Sequence, residues 1–228
     1  MIRLSGPLLK RLAIAFLTPI PLGYKFGHIR SAMCGRPVES LGHPVPWYTY
    51  PATQFLASKD FASKTVLEWG AGHSTLWWAR RARSVTSFEA DADWAAWLRT
   101  RVPPNVVIRR VAEDTSGADE FLSLQQFDLI VIDGLDRYQC AVKSRGHLRE
   151  GGALLLDDSE GHWGHDGDYP IIRLFSSGGY QRIDFYGHAP GVFKPRCTSI
   201  FFQHRCFLFE GSTPPLRYAG RFNGHAST

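Results

Sequence analysis

From Lys64 onward, short apolar runs alternate with segments in which apolar residues recur at helical spacing. Several runs are apolar at consecutive positions, as in FDLIVID (127–133) and GALLLDD (152–158). Such runs predict strands covered on both faces, as in a parallel sheet. The other strand-like runs are TVLEW, SVTSFEA and NVVIRRV, and the helical segments lie near 74–83, 92–101, 117–125 and 136–149. This alternation predicts an α/β fold with a doubly wound sheet.

The last two strand-like runs predict a different connection. A helix-like segment, YPIIRLFSS, precedes YQRIDFYG (180–187), and CTSIFFQHRCFLF (197–209) follows that run after a short loop. The loop contains Pro190, Gly191 and Pro195, so no crossover helix fits in it, and the two strands should pair as an antiparallel hairpin. We therefore expect a mostly parallel seven-stranded sheet whose last strand is antiparallel.

We predict that the residues before Lys64 form an extension of the main domain. Residues 1–60 are assigned to this extension, 61–210 to the domain, and 211–228 to a loose tail. Residues 4–22 include one apolar helical face, but their apolar core, Leu12 to Leu22, contains Pro19 and Pro21 and is too short to span a bilayer. The segment is either a membrane-peripheral helix or, as the favoured interpretation, a helix lying across the main domain. The residues on the face are Leu4, Leu8, Leu9, Leu12, Ala15 and Phe16.

Composition restricts the classes of function. The 228 residues include 26 basic and 21 acidic ones, a mild net charge of +5 without an arginine–lysine block, so no nucleic-acid partner is expected. The four cysteines form no C-x-x-C pair, which argues against zinc-ribbon and redox sites and favours reduced thiols in a cytoplasmic protein. Membrane contact through residues 4–22 is the alternative location.

The stretch TVLEWGAGHST raises the question of a ligand. Gly70 and Gly72 follow the first strand, where a backbone without Cβ atoms lets a ligand approach. Glu89 ends the second strand, where an acid can accept hydrogen bonds from ribose hydroxyls. NAD would fit so far, but Thr75 replaces the third glycine of G-x-G-x-x-G, and Glu68 would repel a diphosphate. S-adenosylmethionine (SAM), with an ammonium group and no phosphate, fits better.

These motifs together resemble class I SAM-dependent methyltransferases. VLEWGAGHST, VTSFEAD, VIRRVAED and FDLIVIDG occur in the order of that family, and the resemblance covers roughly residues 64–208. The antiparallel last strand is also a hallmark of the family. The adenine-side acid would be Glu113 or Asp114, of which we select Asp114. The resemblance thus implies that SAM is held by Glu68, Gly70, Gly72, Glu89 and Asp114.

Acids after the fourth and fifth strands would lie beside the methyl donor. IDGLDRY and LLDD resemble the catechol-type O-methyltransferases, in which such acids hold magnesium. That resemblance implies a Mg²⁺ site at Asp133, Asp157 and Asp158, whose oxygen ligands suit a hard cation. In the alternative interpretation, Asp133 contacts SAM or a substrate amine, and Asp157 and Asp158 cap the following helix.

Two further segments are candidates for the substrate side. In the polar loop SEGHWGHDGDY, His162 or His165 could act as a general base, or the loop could simply be exposed. In PWYTYPATQFL, Trp47, Tyr48 and Tyr50 could form a lid over the site or an aromatic cluster that closes the sheet edge.

The sequence therefore predicts a SAM-dependent methyltransferase that acts on a small molecule or glycan, at oxygen. Asp133, Asp157 and His162 are the expected residues of acceptor chemistry. The alternatives are a non-catalytic SAM-binding or membrane-peripheral scaffold protein and an NAD-dependent oxidoreductase. Nothing in the sequence fixes the oligomeric state.

Overall fold

The computed structural model describes residues 6–123, 125–134, 136–161 and 169–211. The predicted tail at 211–228 lies outside them, except for its first residue. The described residues form a seven-stranded sheet of order β3-β2-β1-β4-β5-β7-β6. The strands are β1 (Thr65–Trp69), β2 (Ser84–Glu89), β3 (Val106–Arg110), β4 (Phe127–Ile132), β5 (Leu148–Leu156), β6 (Gln181–Gly187) and β7 (Arg196–Phe202).

The direction of the strands confirms the predicted fold class. Neighbouring strands from β3 to β5 are parallel, and β7 is antiparallel to both β5 and β6. The order differs from that of the dinucleotide-binding sheet, in which the sixth strand lies next to the fifth. Here β7 is inserted between β5 and β6, because the short connection after β6 forms a hairpin.

Helices cover both faces of the sheet. Most predicted helices are present with slightly shorter bounds, but the segment expected at 117–125 contains only α6, a four-residue turn that no side chain caps. The helices are α1 (Gly6–Leu17), α2 (His28–Cys34), α3 (Tyr50–Ala57), α4 (His73–Ala79), α5 (Ala92–Arg99), α6 (Asp119–Leu122), α7 (Arg137–Ser144) and α8 (Pro170–Ser176).

The observed start of β5 and end of β7 differ from the predicted ones because of the backbone conformation of single residues. β5 begins at Leu148 and not at 152, because Gly151, at φ +74°, lets the strand continue through an irregular register. β7 ends at Phe202, whereas the apolar run continues to 209. The chain turns at Arg205, at φ +63°, and the remaining apolar residues form a short 3-10 helix.

Alternate residues of the central strands enter two hydrophobic cores. Val66 of β1 packs in the core that contains the fully buried Trp77 and Trp78 of α4. Leu67, the next residue, packs on the other face with Phe88. Consecutive apolar residues are therefore needed along β1, which is the pattern that predicted a doubly covered sheet.

The amino-terminal region is more helical than its glycine and proline content suggested. α2 is fixed to the domain by close backbone contacts, since a Cβ on Gly191 would lie 2.7 Å from the amide nitrogen of Ala32. α1, in contrast, buries none of its residues. This exposure does not support the favoured interpretation of residues 4–22 as a helix lying across the main domain, although Leu22, at the end of the segment, packs against the core. Within the described residues, no helix combines the length and apolar character needed to cross a bilayer.

We predict that Ser144→Ala destabilises the fold by about 1–3 kcal/mol, because it leaves a buried donor without an acceptor. The indole Nε1 of Trp69 donates to Ser144 Oγ at 2.8 Å, and both residues are buried. Urea unfolding measures the change. The matched control is Ser177→Ala at an exposed helix end, which should change stability by no more than about 0.5 kcal/mol. Equal losses in the two variants would contradict the assignment.

Candidate active site

A cavity of about 640 Å³ opens at the carboxyl ends of β1, β2, β3 and β4. These four strands are neighbours in the sheet, so the residues that follow each of them meet at one edge. A volume of this size is typical of a site for a small molecule or cofactor. The position is where ligands bind in open α/β sheets.

The glycine turn after β1 forms one wall of the cavity. Gly70 has φ +93°, and a Cβ there would lie 2.6 Å from the carbonyl oxygen of Asp133, so only glycine fits. Gly72 has extended backbone angles, and its Cβ would meet only Ser74 Oγ at 3.9 Å. Nothing in the described chain requires glycine at position 72. Its missing side chain instead leaves the backbone open towards the cavity.

Glu68 lies behind this turn and not in the cavity wall. The carboxylate is fully buried, and one of its oxygens accepts hydrogen bonds from the hydroxyls of Thr75 and Ser87. Thr75 Oγ1 in turn accepts from the amide of Gly72 at 2.9 Å. The expectation that Glu68 meets the ammonium group of a ligand is not supported by this placement, and Glu68 fixes the turn instead.

Burial raises the pKa of Glu68 to about 7, although three hydroxyl groups oppose the shift. The second carboxylate oxygen has no hydrogen-bond partner among the described residues. An ionised form is therefore poorly solvated, which is the physical cause of the shift.

Glu89, at the end of β2, lies in the cavity wall as predicted from its sequence position. Its Oε2 accepts from the amide of Ala71 at 3.0 Å and its Oε1 from the amide of Asp91 at 2.9 Å. The two bonds fix the orientation of the carboxylate. Each oxygen keeps a further acceptor site, which is the requirement for holding two adjacent hydroxyls of a ribose.

Two tryptophans on α5 line the cavity, and sequence reasoning missed them. Trp94 and Trp97 stack with centroids 4.7 Å apart and planes 14° apart. Trp94 Nε1 also donates to the carbonyl of Ala71 at 2.7 Å, which ties the pair to the glycine turn. The signal was available, since two tryptophans at i and i+3 follow the Glu89 strand end on one helical face.

Of the two acids after β3, Glu113 lines the cavity and Asp114 does not. Glu113 is part of the cavity wall, whereas Asp114 is exposed and accepts from the amide of Ser116 at 2.9 Å. The left-handed conformation of Thr115, at φ +66°, belongs to the turn that separates the two side chains. Our selection of Asp114 from the two candidates is therefore not supported by the geometry.

The acids after β4 and β5 pair with other groups and not with each other. Asp133 Oδ1 accepts from Arg137 Nη2 at 3.0 Å, and the same nitrogen lies 4.0 Å from Asp158 Oδ2. Arg196 Nε approaches Asp158 at 3.8 Å. Asp157 is buried and accepts from Thr198 Oγ1 at 2.7 Å.

These contacts do not fit the predicted magnesium site. Among the described residues, no three acids, histidines or cysteines are arranged to hold a metal ion. The predicted ligand set of Asp133, Asp157 and Asp158 is not supported by this arrangement, because the guanidinium of Arg137 lies between the first and the last of them, and it stays a prediction. His162, predicted as a general base, and His165 lie outside the described residues.

The acids near the cavity have raised pKa values. Burial raises the pKa of Asp133 to about 7 in spite of the opposing charge of Arg137. Burial, followed by the negative charges of Asp133 and Asp158, raises the pKa of Asp157 well above its ordinary range. Asp133 is the one of these two that lines the cavity, where about 23% of its side chain is accessible.

Part of the amino-terminal region completes the cavity wall. The cavity is lined by Cys34, the last residue of α2, and by Arg36 and Pro37 after it. Trp47 also lines the cavity, and its Nε1 donates to the carbonyl of Pro190 at 2.9 Å. The three aromatic residues of the predicted lid therefore do not lie together. Trp47 faces the cavity, whereas Tyr48 and Tyr50 are buried in the core.

Comparison with protein families agrees with this geometry. Residues 67–159 match the model of a family described as a methyltransferase domain. The match includes the glycine turn, Glu89 and Asp133. No curated protein sequence matches the chain.

Solved structures with a similar fold include three methyltransferases. The O-methyltransferase from Bacillus cereus in complex with SAH is 18% identical, with a TM-score of 0.51 over 75% of this chain and 86% of its own. The precorrin-6y C5,15-methyltransferase from Geobacter metallireducens is 14% identical, with a TM-score of 0.51 over 67% and 87%. An rRNA methylase from Streptococcus thermophilus is 12% identical, with a TM-score of 0.50 over 67% and 93%. At these identities the likeness shows the fold, and with the family match it confirms the resemblance predicted from the motifs.

We predict that Glu68→Gln changes the pH dependence of stability. The pKa of Glu68 rises from 4.5 to about 7 on folding, so the folded state binds more protons between these values and wild-type stability falls as pH rises. Glutamine keeps the acceptor for Thr75 and Ser87 but cannot ionise. Relative to wild type, the variant should gain up to about 3 kcal/mol between pH 4.5 and 8.

Free energies of unfolding from urea titrations at several pH values test this prediction. Glu210→Gln, at an exposed position, is the control and should follow the wild-type curve. Parallel curves for wild type and Glu68→Gln would contradict the raised pKa.

Proposed function

We propose that this chain, which carries a methyltransferase domain of the class I fold, is a SAM-dependent methyltransferase acting on a hydroxyl of a small molecule or glycan. The observation that carries the proposal is the shared cavity. It brings the open backbone at Gly72, the fixed carboxylate of Glu89 and the stacked tryptophans together with Asp133.

The residues around the glycine turn fit SAM. Glu89 offers two oriented acceptors for the ribose hydroxyls, and Glu113 lies on the side where the family holds the adenine. Trp94 and Trp97 present apolar ring surface for an aromatic base. Arg36, in the same wall, is positioned to pair with a carboxylate at the other end of the ligand.

The strand order of the sheet, and not the charge of Glu68, argues against NAD as the ligand. Glu68 is buried behind the turn, so its carboxylate does not face a diphosphate as we had supposed. The strand order and the antiparallel β7, however, are those of the methyltransferase sheet.

Asp133 is the best-placed group to act on the acceptor. SAM, when bound, supplies a methyl group on a positively charged sulfur that leaves as the neutral thioether. Asp133 accepts the proton of the acceptor hydroxyl as the oxygen forms its bond to the methyl carbon, and a pKa near neutrality suits this role. Arg137 holds the carboxylate through its hydrogen bond, and Trp47 contributes apolar surface to the same cavity wall.

The nature of the acceptor remains part of the proposal. Most of the side chains that line the cavity are apolar, and the cavity volume suits a small molecule. The absence of a nucleic-acid acceptor stays a prediction, since similar folds include an rRNA methylase.

We predict that Glu89→Gln weakens binding of SAM and of S-adenosylhomocysteine by about 10–100-fold, because charged hydrogen bonds to ribose contribute about 1.5–3 kcal/mol. Isothermal titration calorimetry measures both ligands, with NAD as a non-binding comparison. Asp114→Asn is the matched control, since this acid is exposed and outside the cavity wall, and its affinity should equal that of wild type. Tight NAD binding, or equal loss in both variants, would contradict the donor site.

We predict that Asp133→Asn lowers methyl transfer about 10²–10⁴-fold while binding of S-adenosylhomocysteine is retained within a few-fold. In the wild type, kcat/KM should rise with pH through about 7, because the carboxylate must be ionised to accept a proton. Transfer of labelled methyl from SAM to a panel of phenols and sugars provides the assay. A rate that does not change with pH and survives the substitution would rule out Asp133 as the base, and label found only in added RNA would rule out the acceptor class.

A further inference from the structure

We propose that α1 and the residues that follow it bind the surface of a bilayer containing anionic phospholipids. We call the region formed by residues 6–33 the N-terminal surface. Its contact group consists of Leu8, Leu9, Leu12, Phe16, Ile20, Tyr24 and Met33, all large apolar or aromatic residues with exposed side chains.

The apolar exposure of this region is unusual for a protein surface in water. No residue of α1 is buried, and Phe16 and Met33 are 79% and 84% exposed. The exposed positions are not scattered, because Leu8, Leu12 and Phe16 recur every four residues and so share one face of the helix. A contiguous apolar face of this kind marks an interaction site.

The apolar exposure is not confined to α1, because the residues that follow it form an apolar depression. This depression has a volume of about 310 Å³ and is lined by Tyr24, Ile29 and Met33. The contact group therefore includes exposed apolar residues both on α1 and after it.

The charges of the same segment identify the partner. Residues 1–38 contain no aspartate or glutamate, and all their charged side chains are basic: Arg3, Lys10, Arg11, Lys25, Arg30 and Arg36. This segment therefore carries a charge of +6, and the remaining residues, with 20 basic and 21 acidic side chains, are close to balanced. Among the described residues, no acidic side chain forms an ion pair with Lys10, Arg11 or Lys25.

The two basic residues of α1 lie outside its main apolar face. At about 100° per residue, Lys10 lies opposite the face of Leu8, Leu12 and Phe16, and Arg11 flanks that face about 60° from Leu8. The exposed Ile14 lies between the two basic residues. A helix with this pattern lies in the plane of a membrane interface, with its apolar face among the acyl chains and its basic side chains among the headgroups. Anionic headgroups attract each such cation.

A second copy of the chain is a poorer partner for this surface. Pairing two N-terminal surfaces would bring two segments of like charge together without any acidic residue to neutralise them. An anionic bilayer offers both the apolar medium and the opposite charge. The segment leads directly into Cys34 and Arg36 of the cavity wall, so binding would place the cavity beside the bilayer.

Vesicle co-sedimentation tests the proposal with the full chain. We expect it to bind vesicles of phosphatidylcholine mixed with phosphatidylglycerol, to bind weakly to phosphatidylcholine alone, and to release as salt is raised. The double variant Lys10→Glu with Arg11→Glu should lower the partition coefficient at least about 20-fold. The reason is that each lost cation lowers binding to an anionic surface about fivefold. Leu12→Ser with Phe16→Ser should lower it on both kinds of vesicle.

Phe193→Ser is the matched control, because Phe193 is 90% exposed but lies in the loop between β6 and β7. It should bind like wild type. All variants change exposed side chains, and near-UV circular dichroism confirms that each is folded. Failure of the wild type to bind anionic vesicles at low salt would overturn the proposal, and so would a dimer, seen by light scattering, that Leu12→Ser with Phe16→Ser abolishes. Neither outcome depends on whether the cavity transfers methyl groups.

Discussion

The candidate site depends on a buried hydrogen-bond chain behind the glycine turn. Glu68 accepts from Ser87 of β2 and from Thr75 at the start of α4, and Thr75 accepts from the amide of Gly72. One carboxylate thereby joins two strands, a helix start and the turn. Because the turn also provides the backbone amide that fixes Glu89, the position of this carboxylate in the cavity wall follows from the buried contacts behind the turn.

This arrangement places several acids in a poorly solvated region. Burial raises the pKa values of Glu68, Asp133 and Asp157. The charge of Glu68 adds to the cost of ionising Asp133, and the charge of Asp133 adds to that of ionising Asp157. Arg137 offsets part of this cost through its pairs with Asp133 and Asp158. The protein thus lowers the repulsion between these acids with a guanidinium and with hydroxyl donors, an arrangement different from the oxygen cage that the sequence pattern predicted. A buried acid that accepts one proton near neutrality is also a chemically useful group beside an acceptor.

The sheet was predictable because periodicity and connection length are local properties of the sequence. Consecutive apolar positions in β1 and β4 required two covered faces, and the short link before β7 required a hairpin. The direction of individual side chains in the turns was not predictable. Glu113 and Asp114 are adjacent, and the choice between them depends on Thr115 at φ +66°, a backbone state set by the whole turn. For the same reason, the sequence motif predicted that Glu68 contacts the ligand, whereas in the structure Glu68 is buried behind the glycine turn.

The amino-terminal region combines a fixed part with a part that has no packing of its own. α2 is held where Gly191 meets the backbone of Ala32 and where Gly27 meets that of Val38, contacts too close for any side chain. Those contacts keep Cys34 and Arg36 in the cavity wall. α1 has no buried residue, so moving it breaks no core contact. An event that engages α1 alone therefore leaves the cavity wall intact, and the helix can serve as an attachment without altering the geometry at Glu89 and Asp133.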